Sequence, residues 1–272
     1  MPHWFVTVIN GIVEGITEFL PISSTGHLLL LQYFLGESKT EFFNIGIQAG
    51  AVLAVVFIYW RRLVDLAVNF RKPEELDFIL KLGAAFLVTA ALGLTVKKMG
   101  FELKADPWPI AWAMLIGGLL IFAAEWKLKG KPGLVTITWQ VALIVGAAQV
   151  LAGVFPGTSR SAATIIAAMM MGMSRVSATE FSFLLGIPTM FAAAGFDGLK
   201  EIKKNGGFLP QAELLDFALG FVVSMAVAFI VIKWLLVYVR IHTFNPFAWY
   251  RVALGLALIV WLSTQAGNGS LS

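Results

Sequence analysis

Two carboxylates fall where a hydrophobic chain accommodates charge least. Glu14 and Glu18 lie inside the apolar stretch 4–35. Spaced four apart, they share one face of a helix. Like charges there repel, and each charge near a bilayer centre costs about 2.5–3.5 kcal/mol on insertion scales. A divalent cation, an arginine or protonation of one carboxylate would compensate. Oxygen ligands of this kind suit magnesium or calcium. The plainer alternative is a surface helix with both glutamates at a wet interface. Pro21 ends that helix, and Ser23, Ser24, Thr25 and Gly26 lead to His27. The hydroxyl run caps the next helix and aims N–H groups at an anion. A hydroxyl and an imidazole three residues apart also supply a nucleophile and a base. Ordinary capping and a satisfied buried histidine are the competing explanations.

The stretch Pro156 to Thr164, PGTSRSAAT, is the stronger signal. Arg160 is the only charge between Lys131 and Arg175. It sits among Gly157, Thr158, Ser159, Ser161 and Thr164, opening a helix after Pro-Gly. That reads as a phosphate cradle: a helix N-terminus offers N–H groups and a positive dipole end, and a guanidinium adds a bidentate fork. A structural salt bridge to Glu14 or Glu18 is the alternative, and it does not exclude phosphate binding. Glu41, Glu180 and Asp197 also fall in or near apolar runs. Glu41 and Glu180 occupy matching repeat positions, which suggests a structural or capping role.

Elements long enough to place these residues follow from composition. Of 272 residues 58% are hydrophobic and 13% charged, against roughly 25% charge in a soluble domain. Such a chain has too little polar surface to cover a soluble globule. At about 20 apolar residues per span it crosses a bilayer about six to eight times. The apolar runs are long and unbroken, unlike the short alternating segments of a membrane β-barrel. A net charge of +4 without long basic runs argues against nucleic acid. There is no cysteine, so thiol and zinc–thiolate chemistry is excluded, and three scattered histidines cannot form a metal cage. A cleavable signal peptide is not expected, because Glu14 and Glu18 interrupt the N-terminal run and no basic region precedes it.

Spans are predicted at 42–60, 79–96, 108–126, 179–199, 213–236 and 247–265. The stretches 4–35 and 139–173 differ: each reads as helix, polar break, helix. A break in hydrocarbon is tolerated only when buried in protein or facing a wet cavity, so both are predicted as re-entrant hairpins. They also resemble each other. GIVEGITEFLPISS from Gly11 and GAAQVLAGVFPGTS from Gly146 align at an offset of 135. That pairs Glu14 with Gln149, Pro21 with Pro156, Ser23 with Thr158 and Ser24 with Ser159. EFFNIGI from Glu41 echoes EFSFLLGI from Glu180. The expected fold is an all-α polytopic membrane protein, one membrane domain over 1–272 made of repeats at about 1–137 and 138–272. Each repeat is a re-entrant hairpin plus three transmembrane helices. Three is odd, so the second repeat enters from the opposite side and the topology is inverted. Eleven basic residues gather on the side of Arg61, Arg71 and Lys129, against seven with Lys39, Lys97 and Lys200. The first side is therefore cytoplasmic, and both termini face outward.

EGITEFLPISSTGH (Glu14 to His27), PGTSRSAAT and FSFLLGIP (Phe181 to Pro188) resemble the signature regions of the undecaprenyl-diphosphate phosphatases, also called bacitracin-resistance proteins. The resemblance covers nearly the whole chain. It implies an integral phosphatase of the bacterial inner membrane, dependent on a divalent cation. Such an enzyme converts undecaprenyl diphosphate to the monophosphate carrier reused in cell-wall synthesis. It implies a catalytic set of Glu14, Glu18, Ser24, His27 and Arg160, with Ser159, Ser161 and Thr164 in support, and a possible homodimer. On the residues themselves, Ser23, Thr25, Gly157, Thr158, Ser159, Ser161 and Thr164 are the further phosphate-binding candidates, with Glu14 and Glu18 as candidate ligands for Mg2+ or Ca2+. Ser24, His27 or a water molecule could attack. The site is expected to face the extracytoplasmic side. The rival reading is a lipid-phosphate transporter or flippase that uses the same midplane site without cleavage.

Overall fold

The computed structural model describes residues 2–36, 39–100, 106–204 and 211–267. Eleven helices run through them: α1 (His3–Thr17), α2 (Ser24–Leu35), α3 (Glu41–Ile58), α4 (Trp60–Val68), α5 (Pro73–Lys98), α6 (Pro107–Leu128), α7 (Trp139–Val154), α8 (Arg160–Met170), α9 (Arg175–Lys204), α10 (Gln211–Ile241) and α11 (Asn245–Gly267). Local sequence marks their starts. The side chains of Thr40, Asp106 and Thr138 each accept a backbone N–H at an N-cap. Pro73 and Pro107 open α5 and α6 at the position where a missing N–H does no harm.

Five helices, α5, α6, α9, α10 and α11, are long and apolar enough to cross a membrane. A sixth is reached when the bent pair α3 and α4 is taken as one span, which differs from the expected span at 42–60. The chain bends by 67° between α3 and α4. The residues after the bend include Arg61, Arg62 and Asp65, which cannot continue through hydrocarbon. Arg62 instead pairs with Asp65 at 3.2 Å and Glu75 at 2.8 Å.

α1, α2, α7 and α8 have 15, 12, 16 and 11 residues. At about 1.5 Å per residue none spans a hydrocarbon core of about 30 Å. They form two hairpins, and α6 shows how these are related. At its start, Trp108 joins Leu30 of α2 in a cluster with Leu258 and Leu262 of α11. At its end, Lys127 donates to the carbonyl of Met170, the last residue of α8. The two returning helices therefore lie toward opposite ends of one membrane-spanning helix, as an inverted repeat requires. Packing obeys the same exchange. α1 lies on α10 and α7 on α5, through the paired glycines of the repeat. A Cβ on Gly11 would sit 3.0 Å from the carbonyl oxygen of Gly220, and one on Gly146 would sit 2.4 Å from that of Ala85. The first break sits inside protein, while the second buries Gly157 and Ser159 and leaves Phe155 exposed. Phe19, Leu20 and Ile22 of the first share the main core with Ile165, Phe181 and Phe183.

Candidate active site

The two breaks have the same local construction. Ser23 caps α2 by accepting from Gly26 N–H, and Ser159 caps α8 by accepting from Ala162 N–H. These serines, at φ 77° and 69°, are the only non-glycine residues with positive φ among those described. Such conformations cost on the order of 1–3 kcal/mol each and persist where the surroundings enforce them. The match corrects the expected pairing by one residue. Ser23 corresponds to Ser159, and Ser24 to Arg160, because the second break holds one more residue between its proline and its cap. Ser24 and Arg160 are thus each the first residue of a re-entrant helix.

They meet at Glu18. Ser24 Oγ donates to Glu18 Oε2 at 2.6 Å. Arg160 Nη2 pairs with Glu18 Oε1 at 3.4 Å, and Nη1 reaches the Ser182 carbonyl at 3.5 Å. Both arginine contacts are long for charge-assisted bonds, and its buried Nε has no protein acceptor among the described residues. Donor capacity is left over. The guanidinium lies 5.5 Å over the Phe19 ring, which packs edge-on to Phe183. A Cβ at Gly186 would fall 2.6 Å from Nη1, so that glycine clears the space.

Glu14 is fully buried, and no donor reaches either of its oxygens among the described residues. Its charged neighbours are Glu18 and Arg160. Two carboxylates in such contact need a shared proton or a cation between them. No group of three or more acidic or histidine side chains surrounds a point among the described residues. A cation here would take oxygens from Glu14 and Glu18 and its other ligands from water and phosphate, the habit of magnesium. The donor set fits such an ion.

A chamber of about 280 Å³ opens beside these residues, lined by Glu18, Ser24, Thr25, Gly157, Ser159 and Arg160. Its far wall was not anticipated. Gln149 donates to Thr89 Oγ1 at 3.0 Å and accepts from Thr189 Oγ1 at 3.2 Å, and all three line the chamber with Gln48. The repeat pairing of Gln149 with Glu14 was the available signal for one of them.

Other candidates are placed differently. Ser161 Oγ donates to the carbonyls of Glu18 and Leu20 at 3.3 and 3.0 Å, tying α8 to the first tip. Thr164 bonds Ser182 Oγ at 2.5 Å. Both are fully buried and spend their hydroxyls on structure. Thr158 faces an apolar groove between α6 and α7 instead. His27 has both ring nitrogens engaged, Nδ1 to the Ser23 carbonyl and Nε2 to Tyr250 Oη, each at 2.6 Å. A carbonyl forces Nδ1 to be the donor, so in the neutral ring Nε2 accepts from the tyrosine. Tyr250 was not singled out by sequence.

The family model described as bacitracin resistance protein BacA matches residues 7–257. The chain belongs to this family. Among curated relatives, a Rhizobium etli protein is 54% identical over 94% of this chain and 96% of its own length. One from Xylella fastidiosa is 51% identical over 95% and 98%, and one from Xanthomonas oryzae pv. oryzae is 51% identical over 96% and 97%. All three are named undecaprenyl-diphosphatase.

Proposed function

We propose that this chain is an integral membrane phosphatase that cleaves undecaprenyl diphosphate to undecaprenyl phosphate and inorganic phosphate. Family membership and the relatives' shared name support the activity. One contact carries the mechanism: the Ser24 hydroxyl donating to Glu18, whose other oxygen takes Arg160. Ser24 Oγ attacks the terminal phosphorus, and Glu18 accepts its proton. The bond from that phosphorus to the bridging oxygen breaks, and undecaprenyl phosphate leaves with the electron pair. Glu18 passes that proton to the departing phosphate oxygen; as a carboxylate again, it takes a proton from the water that hydrolyses the phosphoserine and returns it to Ser24 Oγ, which restores the hydroxyl. Arg160, with Nε and part of its fork uncommitted, holds the phosphoryl oxygens, and the amides after Ser23 and Ser159 add donors. His27, with both nitrogens engaged, orients the start of α2 rather than attacking.

A divalent cation held by Glu14 and Glu18 would neutralise phosphate charge when bound. The duplicated domain, with repeats at about 1–137 and 138–272, brings the carboxylates of one hairpin to the arginine of the other. The chamber is lined by Thr89, Thr189, Met190 and Ala193, from the halves of α5 and α9 that lead toward Lys97 and Lys200. This supports a site opening on the extracytoplasmic face of a bacterial inner membrane. Pure carriage of the lipid has no observation in its favour. The test is inorganic phosphate release from undecaprenyl diphosphate by the purified protein in detergent. Wild type should release it and Ser24→Ala should not. No release by wild type would leave a carrier.

A further inference from the structure

Arg251, near the start of α11, is fully buried, and among the described residues no carboxylate pairs with it. Its partners are five backbone carbonyls. Nη1 donates to Pro21 O at 3.3 Å. Nη2 donates to Ala113 O at 2.8 Å and to Gly157 O and Thr158 O at 3.2 Å each. Nε donates to Met114 O at 3.3 Å. Pro21 belongs to the first break and Gly157 and Thr158 to the second, while Ala113 and Met114 lie on α6. One guanidinium thus joins both broken segments to a spanning helix.

The arrangement answers a problem that the hairpins create. A helix interrupted inside a membrane frees carbonyls that have no water to bond. An arginine has five donors in a rigid plane and stays charged when buried, so it can serve several such carbonyls at once. Space for it is made across the interface. A Cβ on Gly117 of α6 would lie 2.2 Å from Nη2.

We propose that Arg251 is the positioning residue that fixes the two tips relative to each other, and so fixes the Ser24 hydroxyl against the phosphate held by Arg160. None of its hydrogen bonds goes to Glu18, Ser24 or Arg160; it acts through Pro21, three residues before Ser24, and through Gly157 and Thr158, just before Ser159 and Arg160. The inference rests on the Ser24–Arg160 reading above. Misplacement of reacting groups by about 1 Å lowers turnover by about 100-fold, whereas phosphate affinity, set by Arg160 itself, changes little.

Two variants test it from opposite sides of the contact. Arg251→Lys keeps the charge but not the planar fork. Gly117→Ala keeps the arginine but displaces its Nη2, and alanine favours helix at that position. Each should lower kcat about 100-fold with KM within about threefold of wild type. Tip geometry is read separately, since the chain has no native cysteine. Nitroxide labels on Thr25→Cys and Phe155→Cys should give one narrow distance in detergent, broadened by either substitution. This second measurement needs no substrate, so it stands apart from the identity of the reaction and the nucleophile. A kcat within threefold of wild type in both variants overturns the proposal, as does a tip-to-tip distance that stays narrow in both.

Discussion

Replacing Arg160 by lysine tests the phosphate-binding role without unbalancing the site. The side chain is 12% exposed and its partner Glu18 7%. Alanine would leave two buried carboxylates with no cation nearby, and breaking a buried pair costs about 3–5 kcal/mol of stability. Lysine retains the charge, so Glu18 keeps a counterion. What lysine lacks is the fork. The existing contacts, at 3.4 and 3.5 Å, are long, and Nε has no protein acceptor among the described residues. The N–H groups of Nη1 and Nη2 beyond these two long contacts are therefore available to a phosphoryl group. Losing one or two charge-assisted bonds of about 1.5–3 kcal/mol, partly replaced by the ammonium, removes roughly 2–4 kcal/mol of transition-state stabilisation. That is a fall of roughly 30- to 1,000-fold in kcat/KM. Phosphate release in detergent measures it, with thermal unfolding run in parallel to show that the variant is intact. A lysine variant keeping more than about half the wild-type rate would refute bidentate phosphate binding.

Rapid quench with substrate labelled in its terminal phosphate should trap an acid-stable adduct on the peptide carrying Ser24. An acid-labile, base-stable adduct would move the attack to His27, and no adduct during active turnover would assign it to water. Glu14→Gln should raise the half-saturating magnesium or calcium concentration at least about tenfold if the orphaned oxygens ligate the ion. A lower rate at unchanged half-saturation would make the glutamate pair a shared-proton device. Single cysteines near Lys39 and Lys200 should react with an impermeant thiol reagent outside intact cells, and those near Arg71 and Lys129 should not. The reverse pattern would invert the orientation.

Most of the fold was legible because bilayer crossing imposes long apolar runs, and a polar break inside such a run has few places to go. The meeting of the first hairpin's acid with Arg160 followed from the same reasoning: lone charges in hydrocarbon seek one another, and Glu18 does pair with Arg160. Hydroxyl direction was not legible. Ser159 and Ser161 look alike in PGTSRSAAT, yet one lines the chamber and the other ties α8 to the first tip. Ser159 is the N-cap of α8 and Ser161 its second residue, so the two hydroxyls point to different sides. The one-residue slip between the breaks was hidden for a related reason. The 135-residue offset sets Ser23-Ser24 against Thr158-Ser159, two hydroxyl pairs, whereas the structural register sets Ser24 against Arg160, and the positive φ at Ser23 and Ser159 decides for the latter. Arg251 was readable in principle, as an arginine inside the predicted span 247–265. Its burial depends on Gly117 of a distant helix, which the sequence around it does not show.

The slip in register has a chemical consequence. It makes Ser24 and Arg160 the same position of two related helices, each one residue past a strained serine cap. The duplication supplies two helix N-termini facing one chamber, both suited to anions. Substitution at that single position then separates the roles, a hydroxyl on one side and a guanidinium on the other. The carboxylates follow the same division: at the 135-residue offset Glu14 faces Gln149 in the alignment and Glu18 faces Gly153. Had both hairpins carried acids, four buried carboxylates would have surrounded a phosphate; had both carried arginines, Ser24 would have had no base. An inverted pair with unlike residues avoids both conditions. It also explains why neither hairpin can form the site alone, since Glu18 takes its proton donor from α2 and its counterion from α8.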